Sequence, residues 1–219
     1  MEIQFWSDVV CPWCYLGKRR FEHALADFEH RDQVRVVHRA FQLDPNAPQG
    51  ETFDQVELIT KKHGISAQQF KAQQAKLAEL GRAEGLEYNF DGGRAGNTFD
   101  AHRLIRLGLE RGLQDAVIER FFRAHFTEQR SLFEVDSLVT LAVEAGLDAD
   151  EARGVLAERA YTQAIEEDVR QAQEYGANGV PFFVIDDRYG ISGAQPRRTF
   201  DDALSQAWAE HTSTGAGTP

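Results

Sequence analysis

Apolar positions change their period three times along the chain. Ile3-Gln4-Phe5-Trp6 is a short run suited to a buried strand, and Leu16, Phe21, Ala24, Leu25 and Phe28 then recur at helical spacing. The segment from Val34 to Leu43 is rich in β-branched residues and predicts a second strand. Strand, helix and strand in that order make a βαβ unit, which by rule is parallel and right-handed. Asp44-Pro45-Asn46-Ala47-Pro48-Gln49-Gly50 breaks the pattern and marks a boundary.

From Phe53 to Tyr175 the pattern is almost wholly helical, interrupted at Gly64, at the loop Asp91-Gly92-Gly93-Arg94-Ala95-Gly96 and at Gly146. Leu104, Ile105 and Gly108 form one core-facing stripe, Ile118, Phe121, Phe122 and His125 a second, and Leu138, Leu141, Ala142 and Ala145 a third. Asp148 with Glu151 has the spacing of an N-cap and its return acceptor, and Asn97 with Thr98 is expected to cap the helix that follows them. Phe70 to Leu80 is polar, which predicts a solvated helix rather than a binding face. Gly176 ends the last of these helices at its C′ position. Val180 to Ile185 then predicts a strand, Asp186-Asp187-Arg188 a turn, and Tyr189-Gly190-Ile191-Ser192 the second arm of a hairpin. Phe200, Ala203, Leu204, Ala207 and Trp208 predict a closing helix after Pro196, with His211 to Pro219 frayed. The order β-α-β, helices, β-β-α is that of an α/β thioredoxin fold carrying a large inserted α-helical domain. Residues 1–50 and 176–219 would form the discontinuous thioredoxin-like part, and 51–175 the insert.

With 219 residues and 42% hydrophobic content the chain can bury a substantial core. A net charge of -11 without a long basic run argues against nucleic-acid or anionic-membrane partners. Met1-Glu2-Ile3-Gln4 passes into a strand without a leader pattern, and no run of about 18 apolar residues occurs, so a cytoplasmic protein is expected. Neither charge nor hydrophobicity decides the oligomeric state.

The only two cysteines, Cys11 and Cys14, stand three apart in Cys11-Pro12-Trp13-Cys14, at the junction between the first strand and the first helix. Pro12 suits the first helical position, where its missing N–H costs nothing. Free amides and the macrodipole at a helix N-terminus favour the Cys11 thiolate, while Cys14, one turn further in, is shielded. Cys11 is thus the expected nucleophile and Cys14 the resolving thiol of dithiol–disulfide exchange, chemistry that requires no cofactor. Half a zinc site is the other use of this spacing, but no second pair and no closely spaced histidine pair follow; His23, His30 and His38 lie too far apart. No metal is expected. A purely structural disulfide would close too short a loop to stabilise much.

Phe5-Trp6-Ser7-Asp8-Val9-Val10-Cys11-Pro12-Trp13-Cys14-Tyr15-Leu16-Gly17, Asn97-Thr98-Phe99-Asp100-Ala101-His102-Arg103-Leu104, Gly179-Val180-Pro181-Phe182-Phe183 and Ile191-Ser192-Gly193-Ala194-Gln195 together resemble the DsbA-like thioredoxin family, specifically its FrnE-like branch. The resemblance implies thiol–disulfide oxidoreductase or isomerase activity on protein substrates, with a thioredoxin- or glutathione-type redox partner. It also implies that Pro181 is a cis-proline lying against the cysteines, that the Val180 backbone pairs with an extended substrate, and that Pro12 and Trp13 contribute to the substrate surface. The related 2-hydroxychromene-2-carboxylate isomerases and kappa-class glutathione transferases carry serine where Cys11 stands. Strong periplasmic oxidants of the family place Pro-His between the cysteines. Trp13 supplies a flat apolar contact and no cation, and Asp8 opposes a thiolate if it points inward. The expected couple therefore lies toward the reducing end of a range from about -120 to about -270 mV. His102 is expected to pack or cap within the insert rather than act in catalysis, because no polar partner for it is identifiable in the sequence.

Two other functions compete. Ser192-Gly193-Ala194-Gln195 resembles the region where related enzymes hold the γ-glutamyl group, which suggests a glutathione-dependent isomerase or transferase. An apolar groove around Trp13 would suit a peptide-binding chaperone module.

Overall fold

Alternation along β1 (Glu2–Ser7) decides how the molecule is layered. Successive strand side chains point to opposite faces, so Ile3 and Phe5 lie on one side of the sheet and Trp6 on the other, each fully buried. In the computed structural model, which describes residues 1–215, β1 is a central strand. It pairs in parallel with β2 (Arg35–Ala40) and antiparallel with β5 (Phe182–Ile185), which in turn pairs antiparallel with β6 (Tyr189–Ser192), giving the order β2-β1-β5-β6. The register sets Phe5 opposite His38 on one flank and Phe183 on the other, and the Phe5 and Phe183 rings stack 4.4 Å apart.

On one face Ile3, Phe5, Phe183 and Ile185 meet Phe21 of α1 (Pro12–Asp27) and Phe200 and Leu204 of α9 (Arg197–Gly215) in the main core. On the other, Trp6, Phe182 and Val184 meet Ala172 of α8 (Thr162–Glu174) in a smaller one. Polar bonds seal that second face. The Trp6 indole donates to the Asp168 carbonyl at 2.7 Å, and the Asp168 carboxylate accepts the Ala40 N–H at 3.0 Å and pairs with Arg39 at 3.1 Å.

Between β2 and β5 the chain runs through β3 (Thr52–Asp54), α2 (Gln55–His63), α3 (Ala67–Ala83), β4 (Arg94–Gly96), α4 (Phe99–Glu110), α5 (Gln114–Phe126), α6 (Val135–Glu144), α7 (Ala149–Ala157) and α8. The three expected stripes are buried except for His125 and Ala145, which are half-buried. Only Gln74, Leu77 and Gly81 of α3 are buried, as its polar sequence requires.

Several local expectations need correcting. The segment is not purely helical, because β3 and β4 form a two-stranded antiparallel sheet, with Thr52 opposite Gly96. Three-residue strands are too short to show a period of two. The hairpin strand begins at Phe182 rather than Val180, since Pro181 has no N–H to donate, although its carbonyl still accepts the Gly193 N–H at 2.8 Å. Asp148 caps α7 by accepting the Glu151 N–H, but the Glu151 carboxylate pairs with Arg111 instead of returning. Asn97 accepts the Phe99 N–H at 2.9 Å, whereas Thr98 makes no capping bond. Helix α9 continues through Gly215, past the expected fraying point; residues 216–219 lie outside the described residues.

Candidate active site

The chain leaves β1 at Ser7 and turns at once, the Cys11 N–H donating to the Asp8 carbonyl at 3.0 Å. Cys11 is the N-cap of α1 in an extended conformation (φ -90°, ψ 108°), with Pro12 at the first helical position. Cys11 occupies the N-cap position, but no side-chain hydrogen bond caps this end, so the first-turn amides have no side-chain acceptor among the described residues. One turn in, the Cys14 N–H donates to the Cys11 carbonyl at 3.0 Å. Cys14 has no exposed surface and Cys11 very little, while Trp13 between them is 45% exposed. Both cysteines are free thiols, so the pair stands here as a dithiol.

The other half of the site comes from the approach to β5. The Val180–Pro181 peptide is cis, and the Cys11 thiol donates to the Val180 carbonyl at 3.7 Å. Pro181 lies directly against α1: a Cβ on Gly17 would sit 2.9 Å from its Cγ. The six residues singled out from the sequence, Cys11, Pro12, Trp13, Cys14, Val180 and Pro181, thus meet at one end of the sheet. Arg20 ties in the neighbouring segment by donating to the Ala194 carbonyl and to Glu84, each at 2.8 Å.

Burial pushes the Cys14 thiol well up, and the adjoining Cys11 adds to it through a hydrogen bond and charge. The Asp8 backbone N–H acts in the opposite sense and the Asp8 carboxylate again pushes up. Asp8 does point inward. Its side chain is buried, Oδ2 accepts the Leu43 N–H at 2.8 Å, and Oδ1 lies 3.4 Å from Nε2 of the equally buried His102. His102 is packed within the inserted helices, as expected, but it stands beside a buried carboxylate that the sequence did not reveal, with neither Nε2 nor Asp8 Oδ1 making a hydrogen bond among the described residues. Also absent from the sequence reading is Tyr88, whose hydroxyl donates to the Pro12 carbonyl at 2.6 Å. A lone tyrosine in a loop carries no pattern that would have found it.

Beside the turn before Cys11, a cavity of about 290 Å³ is lined by Val10, Leu43, Phe53, Leu58, Lys62 and Arg94 among others. Among the described residues no three His, Cys, Asp or Glu side chains gather as metal ligands would, and no helix is long and apolar enough to cross a membrane.

Fold and site together are those of a redox-type thioredoxin domain interrupted by helices, and residues 2–205 match the DSBA-like thioredoxin domain model: the chain belongs to that family. Among solved structures it is similar to a probable DsbA oxidoreductase from Streptomyces coelicolor, with 48% identity and a TM-score of 0.93 over 96% of this chain and 91% of that one. The uncharacterized protein YwbO of Bacillus subtilis is 28% identical over 94% of this chain and 96% of its own. The cytosolic disulfide reductase DsbM from Pseudomonas aeruginosa, solved with GSH, shares the fold at 17% identity, with a TM-score of 0.67 over 95% of this chain and all of that one.

Proposed function

We propose that this protein is a thiol–disulfide oxidoreductase or isomerase of protein substrates, working in the cytoplasm with Cys11 as nucleophile and Cys14 as resolving thiol. The observation that carries this reading is the pairing of Cys11 at the helix mouth, its sulfur turned toward Val180, with a fully buried Cys14 behind it. As a reductase, the Cys11 thiolate attacks one sulfur of a substrate disulfide and expels the other as a thiolate, which takes a proton from solvent. Cys14 then loses its proton and attacks Cys11 Sγ, so that the second substrate thiol leaves and the Cys11–Cys14 disulfide remains. The reverse sequence oxidises a substrate dithiol. Val180 offers backbone groups to an extended substrate, and Trp13 with Pro12 offers an apolar surface beside it. A thioredoxin- or glutathione-type thiol resets the pair, and no bound cofactor takes part.

Insulin reduction tests the assignment. Cys11→Ser should abolish it, and retained turnover would remove Cys11 from the mechanism. Equilibration in glutathione buffers should find a reversible couple nearer about -270 than about -120 mV.

A second reading, glutathione-dependent isomerisation or transfer on a small apolar molecule, is favoured by the cavity beside Val10. It requires saturable glutathione binding at millimolar concentration, and flat calorimetric titrations would dismiss it.

A further inference from the structure

Tyr88 reaches the cysteines from the inserted helices rather than from the sheet. Its hydroxyl donates to the carbonyl of Pro12, which follows Cys11 directly, at 2.6 Å. Pro12 opens α1, so this carbonyl belongs to the first turn of that helix. The hydroxyl therefore anchors the first turn of the helix whose N-cap is Cys11. Burial pushes the Tyr88 phenol far above its ordinary value, with Cys11, Tyr15 and Cys14 close enough to add to the effect, so the group remains a protonated donor.

The ring is held in place independently of that bond. It stacks on Phe90 at 5.2 Å and meets Phe126 and Tyr15 edge-on at 5.5 and 5.9 Å. Its loop is pinned to the end of α5 on both sides: the Thr127 hydroxyl donates to the Glu87 carbonyl, and the Asn89 N–H to the Phe126 carbonyl, each at 2.6 Å. Helix α3 makes room for it, since a Cβ on Gly81 would run into Cε2 of the ring. The stacked rings and the space left at Gly81 thus place one hydroxyl at the turn between the two sulfurs, and the loop pins add stability without being needed to aim it.

We propose that Tyr88 is a positioning residue for the Cys11–Cys14 pair, tying the helical insertion to the first turn of α1 and so fixing the helix mouth at which Cys11 stands. Ordered amides at a helix N-terminus stabilise a thiolate. Without the tie they are less well ordered, the thiolate loses support, and the dithiol becomes less stable relative to the disulfide. The effect on the redox couple rests on the oxidoreductase reading; the effect on Cys11 ionisation does not.

The test compares Tyr88→Phe, which keeps the ring and removes only the hydroxyl, with Gly81→Ala, which displaces the ring. Thr127→Ala serves as a control, because it loosens the same loop without touching Pro12. Iodoacetamide alkylation of Cys11 at neutral pH should slow by about threefold or more in Tyr88→Phe, the share of one neutral hydrogen bond. The glutathione equilibrium should shift toward the disulfide by a similar factor, and Gly81→Ala should act in the same direction. Thr127→Ala should lower the urea midpoint with little change in either chemical readout. Alkylation and equilibrium indistinguishable from wild type in Tyr88→Phe would overturn the proposal, as would equal changes in Thr127→Ala. Alkylation needs only a thiolate, so it still reports on Tyr88 if the wild-type protein shows no reversible couple, a result that would remove the oxidoreductase reading alone.

Discussion

Cys14 sits behind Cys11 without exposed surface, and burial, reinforced by the Cys11 thiol, pushes its own thiol up. At neutral pH this thiol is therefore protonated, and in the proposed role of resolving thiol it must lose that proton before it can release a mixed disulfide. The Asp8 carboxylate works in the same direction, because an anion nearby disfavours a second one. Asp8→Asn should let Cys14 ionise at lower pH, measured as thiolate absorbance in a Cys11→Ser background. An unchanged titration would mean that the Asp8 charge is not felt. The amide oxygen of the variant can still accept the Leu43 N–H, so the turn is kept. Cys11 and Cys14 were singled out in the sequence because dithiol exchange needs two thiols in a fixed local order, and Val180 and Pro181 because their motif resembles the family's; the structure brings the four together. The approach of His102 to Asp8 and of Tyr88 to Pro12 was not legible, because each joins residues distant in the chain whose types are common.

Helix α1 carries the site and must also let Pro181 lie against it, and Gly17 is where both demands meet. A helical Gly→Ala exchange ordinarily gains about 1 kcal/mol. Here the new Cβ would lie 2.9 Å from Pro181 Cγ, and overpacking of this kind costs about 1–3 kcal/mol. Gly17→Ala should thus be destabilising on balance, read as a lower urea midpoint, and should slow insulin reduction by shifting Pro181. A higher midpoint with full activity would show that Pro181 yields freely. Long amphipathic elements such as α4 and α5 were predictable because one buried stripe repeats over several turns. The strands β3 and β4 were not, since three residues cannot display a period and their pairing depends on a partner forty positions away.

The inserted helices are fixed to α1 by a buried cation. Lys18, with 2% of its side chain exposed, pairs with Asp115 at 3.0 Å and Glu119 at 2.9 Å on α5, and with Glu22 on its own helix. Burial alone would lower the ammonium, but Glu22, Glu119 and Asp115 outweigh it and hold it above its ordinary value. Burial likewise works to raise Glu119, yet Lys18 prevails and holds the carboxyl below its usual range. A folded-state value below the unfolded one means that the pair stabilises fully above about pH 4.3 and is lost as the pH falls through the lower folded value. The urea midpoint should therefore drop as the pH falls below about 4.3, and Glu119→Gln should flatten that drop. Equal slopes in the two proteins would show that this pair contributes nothing to acid sensitivity.

Local order along the chain was enough to establish the α/β plan, the interruption by helices, the cysteine pair at a strand-to-helix junction and the hairpin near the end of the chain. Periodicity, helix-end chemistry and a two-cysteine spacing are all properties of neighbouring residues. Which inserted residues reach the cysteines, what Asp8 faces, and how Lys18 comes to be charged without solvent depend on contacts between distant segments. Those contacts follow from packing against a shared core, where the fit of volumes and the need to pair every buried polar group select one arrangement out of many that the same local pattern allows.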